Sequence, residues 1–282
     1  MHRISGYKET GPDTDDNIAF ISRTYAPIRS DMAKCRNSEE VEPLLKSVLL
    51  RIIRQLGFEL LPYQPGSSRT AHFMQVSSNH NVNLVFDVGA NIGQFGRSLR
   101  EAGYRGRIVS FEPISAAWEQ LAAASRKDSL WEVATRAAIG NENGEIDLHV
   151  AGNSVSSSAL PMHERHARSA PESRYVGTEH VPLRRLDSMA MEYLRPDSIT
   201  MLKIDTQGYE DRVLRGASGM MDRIVGLQVE LSLVPLYEGQ LLFENLLEQI
   251  KSAGFELWGL WPEFTDPQSG RLLQVDATFF RQ

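Results

Sequence analysis

The sequence is nearly without cysteine. Cys35 stands alone among 282 residues, so no intramolecular disulfide can brace the fold. A reducing, cytoplasmic setting fits that shortage, and Cys35 itself, in a polar stretch with no nucleophile signature around it, reads as an ordinary thiol. Any apolar run long enough to span a bilayer is also missing, and residues 1–16 hold no apolar segment of the secretory kind. Positive charge is in deficit too. The 30 Lys and Arg stand against 36 Asp and Glu, a formal net charge of -6, which argues against a dedicated nucleic-acid binder. What is present is apolar material, 41% of residues, enough for a full-sized core.

Residues 1–40 are polar and rich in turn formers, and they read as a loosely attached lead. Over residues 41–56, Val41, Leu44, Leu45, Val48, Leu49, Ile52, Ile53 and Leu56 recur at helical spacing, with Gly57 as the stop. This amphipathic helix has three uses open to it: packing on the main domain, packing on a second subunit in a homodimer, or peripheral contact with an anionic membrane surface. Residues 1–80 are thus expected to form an N-terminal arm and helical extension, and residues 81–282 the main domain.

In the main domain the periodicity changes. Strands are expected at Leu84–Val88, Arg107–Phe111, 131–135, Thr200–Ile204 and 224–231, with helices at 93–101, Ser115–Ser125 and 243–253. Strands alternating with helices imply βαβ units and a mainly parallel, doubly wound α/β sheet. Residues 256–260 and 274–280 are two further strands, joined by a stretch containing Pro262, Pro267 and Gly270. There is no room for a crossover helix between them, so they should pair antiparallel. Asn141-Glu142-Asn143-Gly144 looks like a hairpin turn leading into a strand at 146–150. Residues 152–178 read as a long loop, and a connection of that length inside a domain is usually functional.

The strongest chemical signal is Asp87-Val88-Gly89-Ala90-Asn91-Ile92-Gly93, which follows a strand and opens a helix. Glycines there let backbone approach a ligand closely, and the helix start offers free N–H groups. A dinucleotide fingerprint would want a glycine where Asn91 stands. An acidic residue ahead of the glycines would repel a pyrophosphate but suits the ammonium of a methionine moiety. About 20 residues on, Ser110-Phe111-Glu112-Pro113 ends the next strand, where a carboxylate can accept both hydroxyls of a ribose. Together the two elements define a nucleoside site at the carboxyl ends of adjacent strands.

Taken in order, VFDVGANIGQFG, SFEP, AAIGNENGEIDLHV, GNSVSSS, VPLRRLDS, LKIDTQGYE, VLRGA and VELSLVPLYEG resemble the FkbM-type methyltransferases, a class I family acting on hydroxyl groups of sugars and natural products. The resemblance runs from Val85 to Phe280 and leaves the first 80 residues uncovered. It implies a seven-stranded Rossmann-like sheet closed by a C-terminal antiparallel hairpin, with S-adenosylmethionine as cofactor. By position, Asp87, Gly89, Asn91 and Gly93 would line the methionine end, and Glu112, followed by Pro113, would hold the ribose. Ala137 and Ala138 would sit beside adenine, and the segment with Asn153 and Ser154 would border the site.

Asp205 ends a strand beside the first one and should face the reactive end of the cofactor, where a carboxylate could deprotonate an alcohol or hold a divalent cation such as magnesium. Glu230 is its candidate partner in such a metal site, unless it balances Arg212 or Arg215. The familiar motif often carries Glu where Gln207 stands here, which removes one carboxylate. Glu210 falls in a first helical turn, where it complements the helix dipole. His163, His166 and His180 are further candidate bases, the first two with metal-like spacing if their segment is helical. The activity expected is O-methylation of a sugar or natural-product hydroxyl. Two other readings use the same fold: a nucleotide-binding scaffold or regulatory subunit without turnover, and a nicotinamide-dependent oxidoreductase.

Overall fold

The computed structural model describes residues 38–281, with side chains from Leu45 onward. The chain divides into two compact units, residues 1–62 and 63–282. Most of the polar lead expected over residues 1–40, Cys35 included, lies outside the described residues. In the first unit the amphipathic stretch forms helix α1, Ser38–Gln55. Gly57 stops it in the left-handed region at φ 84°, with the Phe58 N–H donating back to the Ile53 carbonyl. Glycine meets no Cβ penalty there.

The second unit starts earlier than residue 81. Helix α2, Arg69–Asn79, is capped by the Ser68 hydroxyl and buries Phe73 and Val76 with Leu99 and Tyr104. That burial makes it part of the main core. The chain then runs through β1 (Leu84–Val88), α3 (Gln94–Glu101), β2 (Arg107–Phe111), α4 (Ser115–Ser125) and β3 (Trp131–Val133). An insertion follows, made of β4 (Ala138–Gly140), β5 (Gly144–Ala151), α5 (Glu164–Ser169) and β6 (Tyr175–Arg185). Helix α6 (Leu186–Ala190) leads to β7 (Thr200–Ile204), α7 (Glu210–Gly216), β8 (Ile224–Ser232), α8 (Phe243–Ser252), β9 (Glu256–Thr265) and β10 (Leu272–Phe280).

The main sheet has seven strands in the order β3-β2-β1-β7-β8-β10-β9. Strands β3, β2, β1, β7 and β8 pair in parallel, and β10 pairs antiparallel with both of its neighbours. Phe86, Leu202 and Val229 pack one face against Leu186, Val213, Leu246 and Ile250 of the helices. Val85, Ile108 and Met201 pack the other face against Phe73, Leu99 and Leu121. After β3 the chain crosses back to the far side of β1, which puts a topological switch point between β1 and β7. Ligands of open α/β sheets bind at that crevice.

Three expectations need correcting. Asn141–Gly144 is not the turn of a paired hairpin. Strand β6 lies between β4 and β5, parallel to the first and antiparallel to the second, and Leu183 faces both Ala138 and Gly144. Residues 152–178 are not all loop, since they contain α5 and the start of β6. Strand β6 escaped notice because few of its side chains, Val181 and Leu183 among them, are buried, so the alternation that betrays a strand is weak. Finally, Pro262 lies inside β9 and not in the turn. It is tolerated because β9 is an edge strand and the ladder shifts register nearby, where a missing N–H costs no pairing.

Candidate active site

At the switch point lies a cavity of about 570 Å³, lined by Gly89, Asn91, Glu112, Ala138, Asp205 and Glu230 among others. Its size is within the range that holds drug-sized ligands. Below the glycine loop runs a buried polar chain that begins at Trp131. The Trp131 Nε1–H donates to Ser110 Oγ at 3.0 Å, and that hydroxyl donates to Asp87 Oδ2 at 3.2 Å. Lys203 Nζ stands 3.3 Å from Asp87 Oδ1 and 3.2 Å from Asp205 Oδ2, and it donates to the Gly89 carbonyl at 3.2 Å. The ammonium is therefore paired with two carboxylates and hydrogen-bonded to the backbone. Burial opposes the charge on Lys203, but Asp205 and Asp87 outweigh it and hold the ammonium above the usual lysine range.

Lys203 is the main residue that sequence reasoning passed over. A lysine inside a strand buried along its whole length must have a partner. The parallel register sets Lys203 directly beside Asp87. This changes the reading of Asp87. Its side chain is wholly buried and is absent from the cavity wall, so it meets Lys203 where a ligand ammonium was expected. Gly93 is also away from the wall. It caps α3 at φ 87°, and a Cβ there would meet Leu121 and Trp131 at 3.0 Å, so its absence of side chain serves packing.

Asn91, Glu112, Pro113, Ala137, Ala138, Asn153 and Ser154 do reach the cavity. The Asn91 amide donates to Ser154 Oγ at 3.2 Å, which ties the insertion to the glycine loop. Glu112 accepts the Asn91 N–H on one oxygen and the Ile114 N–H on the other, each at 2.8 Å. Burial pushes its carboxyl up to about 7, against the pull of those two amides.

The segment from Asp205 to Tyr209 is shaped by two successive left-handed residues, Gln207 at φ 55° and Gly208 at φ 96°. One oxygen of Glu210 collects the Thr206 N–H (2.9 Å), the Thr206 hydroxyl (3.2 Å) and the Gly208 N–H (3.1 Å). Glu210 is buried and outside the cavity wall; from the first turn of α7 it clamps the loop before the helix. Gln207 Nε2 donates to Asp205 Oδ1 and to Glu230 Oε2, each at 2.9 Å, and Gln207 Oε1 accepts the Tyr237 hydroxyl at 2.7 Å. Glu230 takes a second amide, from Gln274, at 2.7 Å, and it has no part in balancing Arg212 or Arg215, which pair with Asp211.

These contacts do not suit a metal centre at Asp205 and Glu230. The Gln207 amide lies between the two carboxylates, and the Lys203 ammonium holds the other oxygen of Asp205. Among the described residues no group of three or more His, Cys, Asp and Glu is arranged to hold a metal ion.

The histidines separate as well. His166 lines the cavity, with its ring 5.1 Å from that of Tyr237 and 5.3 Å from that of Phe264. Burial lowers its pKa to about 4, so it is a neutral imidazole. His163 is exposed, accepts the Arg165 N–H at 3.3 Å as the cap of α5, and is absent from the wall. His180 is on the outer surface between Asp147 and Glu145. His163 and His166 therefore form no pair, although their segment is helical. His163→Ala is expected to change turnover by no more than about twofold, since the side chain is exposed and lies outside the cavity wall; steady-state kinetics would show it.

Residues 87–257 match the family model described as the methyltransferase FkbM domain. The chain belongs to the FkbM methyltransferase family. It is 28% identical over 239 residues to the 2-O-methyltransferase NoeI of Sinorhizobium fredii, covering 79% of this chain and 94% of that protein. It is 26% identical over 168 residues to the methyltransferase sdnD of Sordaria araneosa, covering 52% of this chain and 65% of that one. Among solved structures, magnesium protoporphyrin IX methyltransferase (ChlM) from Synechocystis with bound SAM aligns over 98% of this chain and 100% of its own. Its TM-score is 0.42 and its identity 8%. The matched residues of this FkbM methyltransferase run from β1 into β9, and Gly89, Glu112, Asp205 and Glu230 of the cavity wall fall among them. Among the described residues no helix is long and apolar enough to cross a membrane.

Proposed function

We propose that this FkbM methyltransferase methylates a hydroxyl group of a sugar or natural-product acceptor, with Asp205 as the group that receives the hydroxyl proton. S-adenosylmethionine, when bound, supplies an electrophilic methyl group on a sulfonium. The cavity suits such a donor. Glu112 has lone pairs beyond its two backbone amides and can accept from ribose hydroxyls. Ala137 and Ala138 leave room for a flat base, and the loop from Gly89 to Asn91 closes the remaining side without bulk. Asn153 and Ser154 border the same end.

Asp205 carries the reading. It sits at the carboxyl end of β7 with 36% of its side chain exposed, and it lines the cavity. The Lys203 ammonium holds one of its oxygens and the Gln207 amide the other. A carboxylate anchored at both oxygens keeps a fixed direction, and a fixed acceptor near the reacting hydroxyl is what proton removal requires. The 2-O-methyl transfer for which NoeI is named favours an oxygen acceptor over nitrogen or carbon.

The deciding experiment is calorimetric titration with S-adenosylhomocysteine, with NADH as control, in the presence and absence of magnesium. Saturable binding of the first alone, equal with and without magnesium, supports the reading. Binding of NADH in its place, or of neither, sinks it.

The carboxyl of Glu112 adds a pH dependence. A ribose hydroxyl needs the ionised form as acceptor, and that form is lost as pH falls through about 7. S-adenosylhomocysteine affinity is therefore expected to be flat above pH 8 and to fall by up to roughly tenfold per pH unit below pH 6.5. Glu112→Gln should bind more weakly and show a flat profile over the same range. A wild-type profile with no slope between pH 5 and 8 would remove Glu112 from the site.

A further inference from the structure

A central sheet covered on both faces normally carries apolar residues on both. Strands β8 and β10 depart from that. On one face they present Leu227, Val229, Leu231, Val275, Ala277 and Phe279 to the core. On the other they present Gln228, Glu230, Ser232, Gln274, Asp276 and Thr278, all of them buried. The antiparallel register sets Asp276 opposite Glu230 and Gln274 opposite Ser232. Six polar side chains buried side by side cost stability unless they meet partners, and these are held in place by one another: Gln274 donates to Glu230 and Ser232, and Gln228 to Asp276. Gln228, Glu230, Gln274 and Asp276 line the cavity.

This wall lies on the β8 side of Asp205, away from Glu112 and the glycine loop. His166 is on it as well, with its Nδ1 buried and without a hydrogen-bond partner. Phe264 adds an apolar surface.

The charges on the wall are one-sided. Arg69 and Lys203 are the cations of the cavity lining, against six carboxylic side chains: Glu112, Glu172, Asp205, Glu230, Glu263 and Asp276. Both cations are already engaged twice. Arg69 is held by Glu263 and Asp276, and Lys203 by Asp87 and Asp205. Both cations of the lining are thus already paired with carboxylates, and an added negative group would meet the carboxyl oxygens of Glu230 and Asp276.

We infer that the wall built by β8 and β10 is the acceptor subsite, and that it takes uncharged polyhydroxylated acceptors while rejecting those with phosphate or carboxylate near the reacting hydroxyl. Amide, carboxylate and hydroxyl side chains in register offer donors and acceptors at strand spacing, which matches the hydroxyls of a polyol. Rejection comes from the excess of carboxyl groups over cations in the lining and from desolvating an anion without a free counter-ion. The inference rests on the methyl-transfer reading.

The test begins with wild-type protein saturated with S-adenosylhomocysteine. Methyl α-D-glucopyranoside and methyl α-L-fucopyranoside are then titrated by saturation-transfer NMR beside the anionic probes methyl α-D-glucuronide and glucose 6-phosphate. The neutral glycosides are expected to bind at least about tenfold more tightly than the anionic ones, by the like-charge penalty. Asp276→Asn, which frees one side of Arg69, should narrow that gap by several-fold. Should the variant fail to fold, the wild-type panel decides alone. Equal binding of anionic and neutral probes, or binding of neither to the saturated protein, overturns the inference while leaving methyl transfer intact. Failure of S-adenosylhomocysteine itself to bind removes both.

Discussion

Asp205→Asn is expected to lower turnover by roughly 10²–10⁴-fold, the usual worth of a positioned general base, with S-adenosylhomocysteine affinity changed only a few-fold. The amide keeps the shape of the carboxylate, and its oxygen can still accept the hydrogen bond that Gln207 gives at 2.9 Å. What it loses is the ability to take a proton, together with the ion pair to Lys203. Lys203 keeps Asp87 as counter-ion, so the buried charge is not orphaned and the fold should survive. Steady-state kinetics with a methylatable acceptor, beside a calorimetric titration, would separate the two effects. A parallel loss of affinity and turnover would mean that Asp205 serves binding. Unchanged turnover would remove it from the mechanism.

Gly89→Ala is expected to weaken S-adenosylhomocysteine binding by on the order of 100-fold or more, the scale of a small misplacement at an aligned site. At φ 77° a Cβ on residue 89 would stand 1.9 Å from the Asp205 carbonyl oxygen. Both are backbone-linked, so relief requires β1 and β7 to separate at their carboxyl ends, where the cavity opens. The left-handed conformation adds about 1–2 kcal/mol by itself. Gly103→Ala provides the control, because Gly103 also has a positive φ, 97°, but nothing within 4 Å of the added carbon. The control should lose only a few degrees of melting temperature and keep its affinity. Equal affinities in the two variants would show that the close approach at Gly89 has no bearing on the cofactor.

Both predictions concern segments whose local shape is written in a few consecutive residues. The turn after β1 was legible because three positive-φ positions, Gly89, Asn91 and Gly93, follow an apolar strand. Glu112 was legible because it ends the next strand, and Asp205 because a charged residue after five buried ones marks a strand's end at the switch point. The parallel pairing of β1, β2 and β3 followed from strands alternating with helices, and the antiparallel pairing of β9 with β10 from the short connection between them.

The partners of those residues were not legible. Asp87 reads as a ligand contact until Lys203, 116 positions later, is seen beside it in the register. Each residue alone fits several roles, and only the adjacency of β1 and β7 joins them. The polar face of β8 and β10 was visible as Gln-Val-Glu-Leu-Ser and Gln-Val-Asp-Ala-Thr, two alternating runs. Alternation in one strand, however, describes any sheet with a solvated face. It becomes a binding wall only where the sheet order and the covering insertion bury that face.

Thus the sequence by itself determined the fold class, the turn at Gly89 and the acidic ends of β2 and β7, since backbone conformation over a few residues depends on those residues. The tertiary structure decided that Lys203 neutralises Asp87, that Gln207 bridges Asp205 and Glu230, and that His166 but not His163 reaches the cavity. The reason is that a buried charge or amide takes its function from whatever lies within about 3 Å of it. For these side chains that neighbour comes from a strand or loop brought alongside by the order of the sheet.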